Sequence, residues 1–156
     1  MNNATISGLP VQSGDLLFTS CYWPPGVWLP GPIDHVLMYT GPGKRCIEAG
    51  PKGVIAFDFV TGWKGFRSRG IWDRVYGVGY PTDKQRIARY AVKFCERQVG
   101  KPYDWLFSKK TDTAYYCSEL VFQAYQILGV RLGNVDNPII TPKNVWDAKG
   151  VKIKLK

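Results

Sequence analysis

The spacing of apolar residues along the chain changes at about residue 80. Before that point, short apolar stretches are separated by glycine and proline, as in β-strands joined by turns. From about residue 82 to 129 the apolar residues recur at helical spacing, which predicts two helices. An alternating stretch at the end of the sequence predicts one more strand. The predicted strands are 15–19, 35–40, 45–49, 54–60, 71–76 and 151–155.

Both predicted helices carry recognisable end signals. The first is expected to start at Thr82 as N-cap, with Gln85 as its capping-box partner, and to end at Gly100. The second is expected to run from Cys117 to Leu128, with Cys117 at its start on the buried side. The residues predicted along one side of the first helix are Ile87, Tyr90, Ala91 and Phe94, with Gln98 or Val99.

Length and composition predict a single domain of mixed α+β structure over residues 1–156. With 45% hydrophobic and 21% charged residues, the chain is too apolar to be disordered and long enough to fold without disulfides or metal. It contains no apolar run long enough to span a membrane, and its first residues lack the pattern of a secretory signal. We therefore expect a cytoplasmic protein without a transmembrane segment.

Charge and cysteine spacing limit the possible partners and cofactors. The net charge of +9 favours anionic partners, among which lipid surfaces, cell-wall polymers and nucleic acid are not distinguished by charge alone. The four cysteines form no C-x-x-C pair, and a single histidine is present to complement them as metal ligands. We expect no metal, no cofactor and no disulfide framework.

Cys117 and His35 are the residues that best suit nucleophilic chemistry. A thiol at a helix N-terminus faces unpaired backbone N–H groups, which favour the thiolate. Burial as a small apolar residue is the alternative for Cys117, and it is the expected role of Cys46 and Cys95. Because a nucleophilic cysteine needs a base, the enzymatic hypothesis depends on His35, the one histidine of the chain.

A predicted hairpin brings a carboxylate close to His35. If the strands 35–40 and 45–49 pair with Thr40 opposite Arg45, then Glu48 lies one diagonal step from His35 on the same sheet face. A carboxylate there would orient the imidazole and stabilise its charged form. A solvated strand residue is the alternative for Glu48, and a one-residue bulge in the turn would move its side chain to the other face.

Four sequence blocks resemble those of the NlpC-type papain-like cysteine peptidases. His35 precedes Cys117 by 82 residues, which is the reverse of the usual order of the two blocks. This order is similar to that of the circularly permuted branch, which includes YiiX-like proteins and relatives of lecithin:retinol acyltransferase. The blocks are Gly-Asp-Leu-Leu-Phe at 14–18, His-Val-Leu-Met-Tyr-Thr-Gly at 35–41, Gly-Lys-Pro-Tyr at 100–103 and Tyr-Cys-Ser-Glu-Leu-Val at 116–121.

The resemblance implies a fold and a set of roles. The fold would be a permuted papain-like domain with helices packed on an antiparallel, small barrel-like sheet. Cys117 would be the nucleophile, His35 the general base and acid, and Glu48 the orienting residue, with Tyr103 beside the nucleophile. Glu119 replaces the small residue of ordinary members, and this departure, with the missing signal, argues against a cell-wall substrate.

Substrate binding is expected to involve aromatic residues around this set. Trp23, Trp28 and Trp105 are candidates for the walls of an apolar groove, and Asp104 and Ser118 adjoin Tyr103 and Cys117 in the sequence. A basic aromatic segment suits either an anionic head group or ordinary packing, with nucleic acid the less favoured partner. Its residues are Trp63, Lys64, Phe66, Arg67, Arg69 and Trp72.

Three functions are consistent with these residues. The first is a thiol hydrolase that cleaves a peptide, isopeptide, N-acyl amide or ester bond through a Cys117 acyl-enzyme. The second is an acyltransferase, in which another nucleophile takes the place of water. The third is a non-catalytic module that binds lipid or nucleic acid, which has no need of a base aimed at a thiol.

Overall fold

A six-stranded antiparallel sheet organises the structure, a computed structural model that describes residues 4–6, 8–20, 33, 35–43, 45–58, 74–107, 112–134 and 136–155. Its strand order is β6-β5-β4-β3-β7-β8, and a separate two-stranded hairpin pairs β1 with β2. The strands are β1 (Thr5–Ile6), β2 (Leu9–Pro10), β3 (Leu16–Ser20), β4 (His35–Tyr39), β5 (Arg45–Gly50), β6 (Gly53–Asp58), β7 (Arg74–Tyr80) and β8 (Lys152–Leu155).

Three helices accompany the sheet in the described part of the chain, and apolar side chains form two buried clusters. The helices are α1 (Gln85–Gln98), α2 (Cys117–Gln126) and α3 (Pro142–Trp146). The larger cluster joins strand residues such as Phe18 and Met38 to α2 residues such as Leu120. The smaller one contains Leu37 and Phe57. Alternate strand residues thus enter different clusters, as expected for a sheet with both faces covered.

The predicted strands are observed with small shifts, and the short hairpin of β1 and β2 was not predicted. Residues 59, 60 and 71–73 of two predicted strands lie outside the described residues. The barrel-like closure that the resemblance implied is not confirmed, because β6 and β8 each have a single neighbour among the described strands. No helix of the described residues is long and apolar enough to cross a membrane.

The start of α1 differs from the prediction. Lys84, not Thr82, is the N-cap residue, and Thr82 Oγ1 accepts a hydrogen bond from the backbone N–H of Lys84 at 3.0 Å. The predicted capping box with Gln85 is therefore wrong. The buried face of α1 is also rotated from the prediction, since Tyr90 is exposed, whereas the predicted Ala91 and Gln98 are buried. Its buried residues are Ala88, Ala91, Val92, Cys95 and Gln98.

A close approach to Gly14 explains why small residues line this face of α1. A Cβ atom on Gly14 would lie 2.7 Å from both Ala88 Cβ and the Tyr125 hydroxyl, and Gly14 has a φ of +94°. The Tyr125 hydroxyl also donates a hydrogen bond to the Gly14 carbonyl. The turn before β3 thus packs directly on α1 and α2, which leaves no space there for larger side chains.

Candidate active site

The hairpin of β4 and β5 places a histidine beside a glutamate. Met38 pairs with Ile47 and Tyr39 with Cys46, which confirms the predicted register. In that register His35 Nε2 lies 2.7 Å from Glu48 Oε2, and both side chains are buried. The hydrogen bond to the carboxylate fixes the plane of the ring and assigns Nε2 as a donor, so that Nδ1 is the ring atom left for another partner.

Cys117, the first residue of α2, also interacts with the His35 ring. Its side chain is 7% exposed, and its interaction with the imidazole favours the charged form of the ring. Burial alone would lower the pKa of His35, but the hydrogen bonds to Cys117 and Glu48, with the charges of these two groups, outweigh it and raise the pKa to about 9. A positively charged imidazole at this position would favour a thiolate beside it.

The other described cysteines have different surroundings. Cys46 and Cys95 form no disulfide with another described cysteine and are fully buried in the two apolar clusters. Burial raises the pKa of both thiols, and neighbouring carboxylates add to the effect. These two residues therefore pack as small apolar side chains, as predicted. Cys21 lies outside the described residues.

Polar side chains around the start of α2 hold Cys117 in place. Glu119, fully buried in the first turn, accepts a hydrogen bond from the backbone N–H of Tyr116 at 3.3 Å. The Tyr116 hydroxyl accepts one from the backbone N–H of Ile140 at 3.0 Å, while the Ser118 hydroxyl donates to the Ile140 carbonyl. The residues on both sides of Cys117 are thus anchored to the segment that leads into α3.

The sequence does not predict this anchoring, because the contact between Tyr116 and Ile140 joins residues 24 apart that no local pattern connects. Glu119 is the one local signal, since an acidic residue at the third position of a helix often bonds back to the N-cap backbone. The structure thus gives this departure from the family pattern a capping role.

Aromatic side chains link Tyr103 to Tyr116, the residue before Cys117. The backbone of Tyr103 forms an isolated parallel β-bridge with that of Tyr115, and the Asp104 N–H donates a hydrogen bond to the Tyr115 carbonyl at 3.0 Å. The ring centroids of Tyr103 and Trp105 are 4.6 Å apart, and those of Phe107 and Tyr116 are 5.4 Å apart. Aromatic contacts therefore connect residues 103–107 to the residue that precedes Cys117.

The remaining candidate substrate residues differ in their surroundings. Asp104 and Ser118 are buried: Asp104 Oδ1 accepts a hydrogen bond from the Leu106 N–H, and the Ser118 hydroxyl donates to the Ile140 carbonyl. Their role in substrate binding stays a prediction. Trp105 is exposed. Trp23, Trp28 and the basic aromatic segment from Trp63 to Trp72 lie outside the described residues. Within the described residues, no three His, Cys, Asp or Glu side chains are placed to hold a metal ion.

Comparison with known proteins gives three matches. A family model described as a permuted papain-like amidase enzyme, YaeF/YiiX, C92 family, matches residues 10–152. The uncharacterized protein YiiX of Escherichia coli strain K12 is 39% identical over 70 residues, which are 44% of this chain and 32% of that protein. The chain thus spans about a third of the length of this curated relative.

The third match is a solved structure. The crystal structure of the metalloprotein YiiX from Escherichia coli O157:H7 is similar with a TM-score of 0.69, over 93% of this chain and 97% of that chain. The sequence identity is 22%, so the likeness concerns the fold. The chain thus resembles this family in sequence and this solved structure in fold.

Proposed function

The chain belongs to the permuted papain-like amidase family, and we propose that it is a cysteine hydrolase that cleaves an amide bond through a thioester on Cys117. The observation that supports this most directly is the buried series of contacts from Glu48 through His35 to Cys117. Cysteine hydrolases need a thiolate, a proton donor beside it and a third group that orients the donor. The three side chains are of these three types.

The proposed reaction has two halves. The Cys117 thiolate attacks the carbonyl carbon, and the imidazolium of His35 gives its Nδ1 proton to the leaving amine as the C–N bond breaks. Neutral His35 then takes a proton from water, whose oxygen attacks the thioester. The products are an amine and a carboxylic acid, and the thiolate and imidazolium are regenerated. Glu48 keeps Nε2 protonated throughout.

The start of α2 supplies a site for the negative charge that develops on the substrate oxygen. The backbone N–H of Cys117 belongs to the first turn, whose N–H groups have no partners within the helix. We assign it as one donor to the oxyanion, and the Tyr103 hydroxyl as a second group that steadies this charge or the thiolate. The anchoring of Tyr116 and Ser118 to Ile140 supports this role, because a donor must be fixed to be effective.

The proposed substrate is an acyl amide with an apolar acyl group. Trp105 contacts the ring of Tyr103, and Phe107 contacts the ring of Tyr116, the residue before Cys117, so partly exposed apolar surface lies on that side of Cys117. Peptide and isopeptide bonds are the competing amides, and an ester would react by the same route. The cytoplasmic location stays a prediction from the sequence.

The test uses acyl p-nitroanilides of increasing chain length. Wild type should release nitroaniline at rates that rise with acyl length, since each buried methylene contributes about 0.8 kcal/mol. Cys117→Ser and His35→Ala should be inactive, whereas Cys46→Ser, at a cysteine outside the site, should retain activity. Mass spectrometry should find the acyl group on Cys117 and on no other residue.

Three outcomes of the test point elsewhere. A flat chain-length series with cleavage of short peptides would favour a peptidase. Acyl transfer to an added amine at the expense of hydrolysis would favour a transferase. No turnover and no acylated Cys117 with any substrate would overturn the proposal and favour a binding module.

A further inference from the structure

An exposed apolar turn projects next to the proposed active site. Trp105 is 62% exposed, Leu106 89% and Phe107 40%, and these are three consecutive residues. Large apolar side chains at the surface are common as single residues, but a contiguous group indicates an interaction surface. We call residues 105–107 the apolar tip.

Hydrogen bonds hold the apolar tip in a defined shape. Asp104 Oδ1 accepts from the Leu106 N–H at 3.0 Å, and the Asp104 carbonyl accepts from the Phe107 N–H at 3.3 Å. Phe107 has a φ of +54°, which is rare for a bulky residue. The aspartate is itself buried. The protein thus orders a turn that leaves much of its apolar surface exposed, and a partner would bury that surface.

Two lysines, Lys101 and Lys52, lie near the base of the apolar tip, together with the exposed Asp112. Lys101 lies four residues before Trp105, and its ammonium group donates to the Asp112 carbonyl at 2.6 Å. Lys52 is exposed in the turn between β5 and β6, which adjoins this segment through the 2.8 Å bond from the Val54 N–H to the Lys101 carbonyl. The whole chain carries a net charge of +9.

We propose that the apolar tip inserts into the interface of an anionic lipid bilayer and brings the opening of the active site to the membrane surface. Tryptophan beside exposed leucine and phenylalanine, with lysines behind them, suits the boundary between head groups and acyl chains. A protein partner would need its own acidic side chains opposite these lysines, whereas an anionic bilayer offers negative charge across its whole surface. The choice of a membrane as the source of acyl substrate rests on the proposed function, whereas the binding itself does not.

The binding test uses sedimentation of the full chain with vesicles. Wild type should bind vesicles of phosphatidylcholine with phosphatidylglycerol, and binding should weaken as salt is raised. Leu106→Asp should lower the partition coefficient at least about tenfold. Ile127→Asp is the matched control, because Ile127 is 64% exposed at the end of α2 and away from the tip, and it should bind as wild type does. Lys52→Ala should weaken binding about fivefold.

The results separate this inference from the proposed function. Cys117→Ser should bind vesicles as wild type does, so a failure of the proposed chemistry would leave the binding result intact. Equal binding by wild type and Leu106→Asp, or binding that does not depend on anionic lipid, would overturn the inference. A dimer in solution that Leu106→Asp dissociates, without vesicle binding by wild type, would show that a second copy covers the tip and would also overturn it.

Discussion

Replacement of Glu48 by glutamine tests whether the carboxylate keeps His35 charged. Glutamine retains the size of the side chain and an oxygen that can accept from Nε2, so the main loss is the negative charge. The Nε2–Oε2 distance is 2.7 Å with both groups buried, and a hydrogen bond to a charged group is worth about 1.5 to 3 kcal/mol. At 1.36 kcal/mol per pKa unit, the pKa of His35 should fall by about 1 to 2 units.

Nuclear magnetic resonance measures this pKa without a substrate. Because the chain has a single histidine, its ring signals need no further assignment and report both the charge and the tautomer. In wild type the ring should titrate near pH 9, and in Glu48→Gln between about pH 7 and 8. The control is Glu96→Gln, an exposed glutamate on α1, which should leave the titration unchanged.

The same change should appear in reactivity. In Glu48→Gln, His35 should lose its proton near neutral pH. The pH at which the imidazolium stops increasing the alkylation rate of Cys117 should therefore be lower than in wild type. A titration of His35 that Glu48→Gln leaves within about 0.3 units of wild type would show that the carboxylate does not stabilise the imidazolium, and the assignment of Glu48 as the orienting residue would be wrong.

Three further predictions concern reactivity and stability. Iodoacetamide at pH 6 should label Cys117 before the other cysteines, and His35→Ala should slow that labelling; uniform labelling would contradict an activated thiol. Burial raises the pKa of Asp15 to about 7. Protonated Asp15 therefore adds to the unfolding free energy in full below about pH 4, and this contribution is lost as the pH rises through 7. Asp15→Asn should flatten this pH dependence in urea titrations. Gly14→Ala should cost about 2 to 4 kcal/mol of unfolding free energy, since its Cβ would overlap Ala88; an unchanged midpoint would refute this.

Local sequence patterns predicted the hairpin that carries the proposed base. The turn after Tyr39 and the alternation in the flanking strands were sufficient to place Glu48 and His35 on one face, because a strand has only two faces and the turn sets the register. The start of α2 at Cys117 also followed from the apolar spacing, and the structure confirms it. The catalytic roles of these residues stay predictions.

Other features depend on contacts that are distant in sequence. The rotation of α1 follows from its packing against Gly14, which favours Ala88 at the contact and leaves Tyr90 outside. Helical periodicity alone does not predict this rotation, because it depends on which residues are apolar and not on the space that Gly14 leaves between the elements. The anchoring of Tyr116 to Ile140 is a second example, and it is invisible to a search for motifs.

The separation of the three proposed catalytic residues along the chain has a consequence for folding. His35 and Glu48 are 13 residues apart in one hairpin, and hairpins form within about 1 to 10 μs. Cys117 lies 82 residues beyond His35, so their contact requires closure of a long loop, which is a late event in folding. A partly folded chain therefore contains a histidine–glutamate pair but no activated thiol. The onset of rapid Cys117 alkylation during refolding would therefore report when the domain is complete. Until α2 is in place, the thiol would lack the activation that His35 provides.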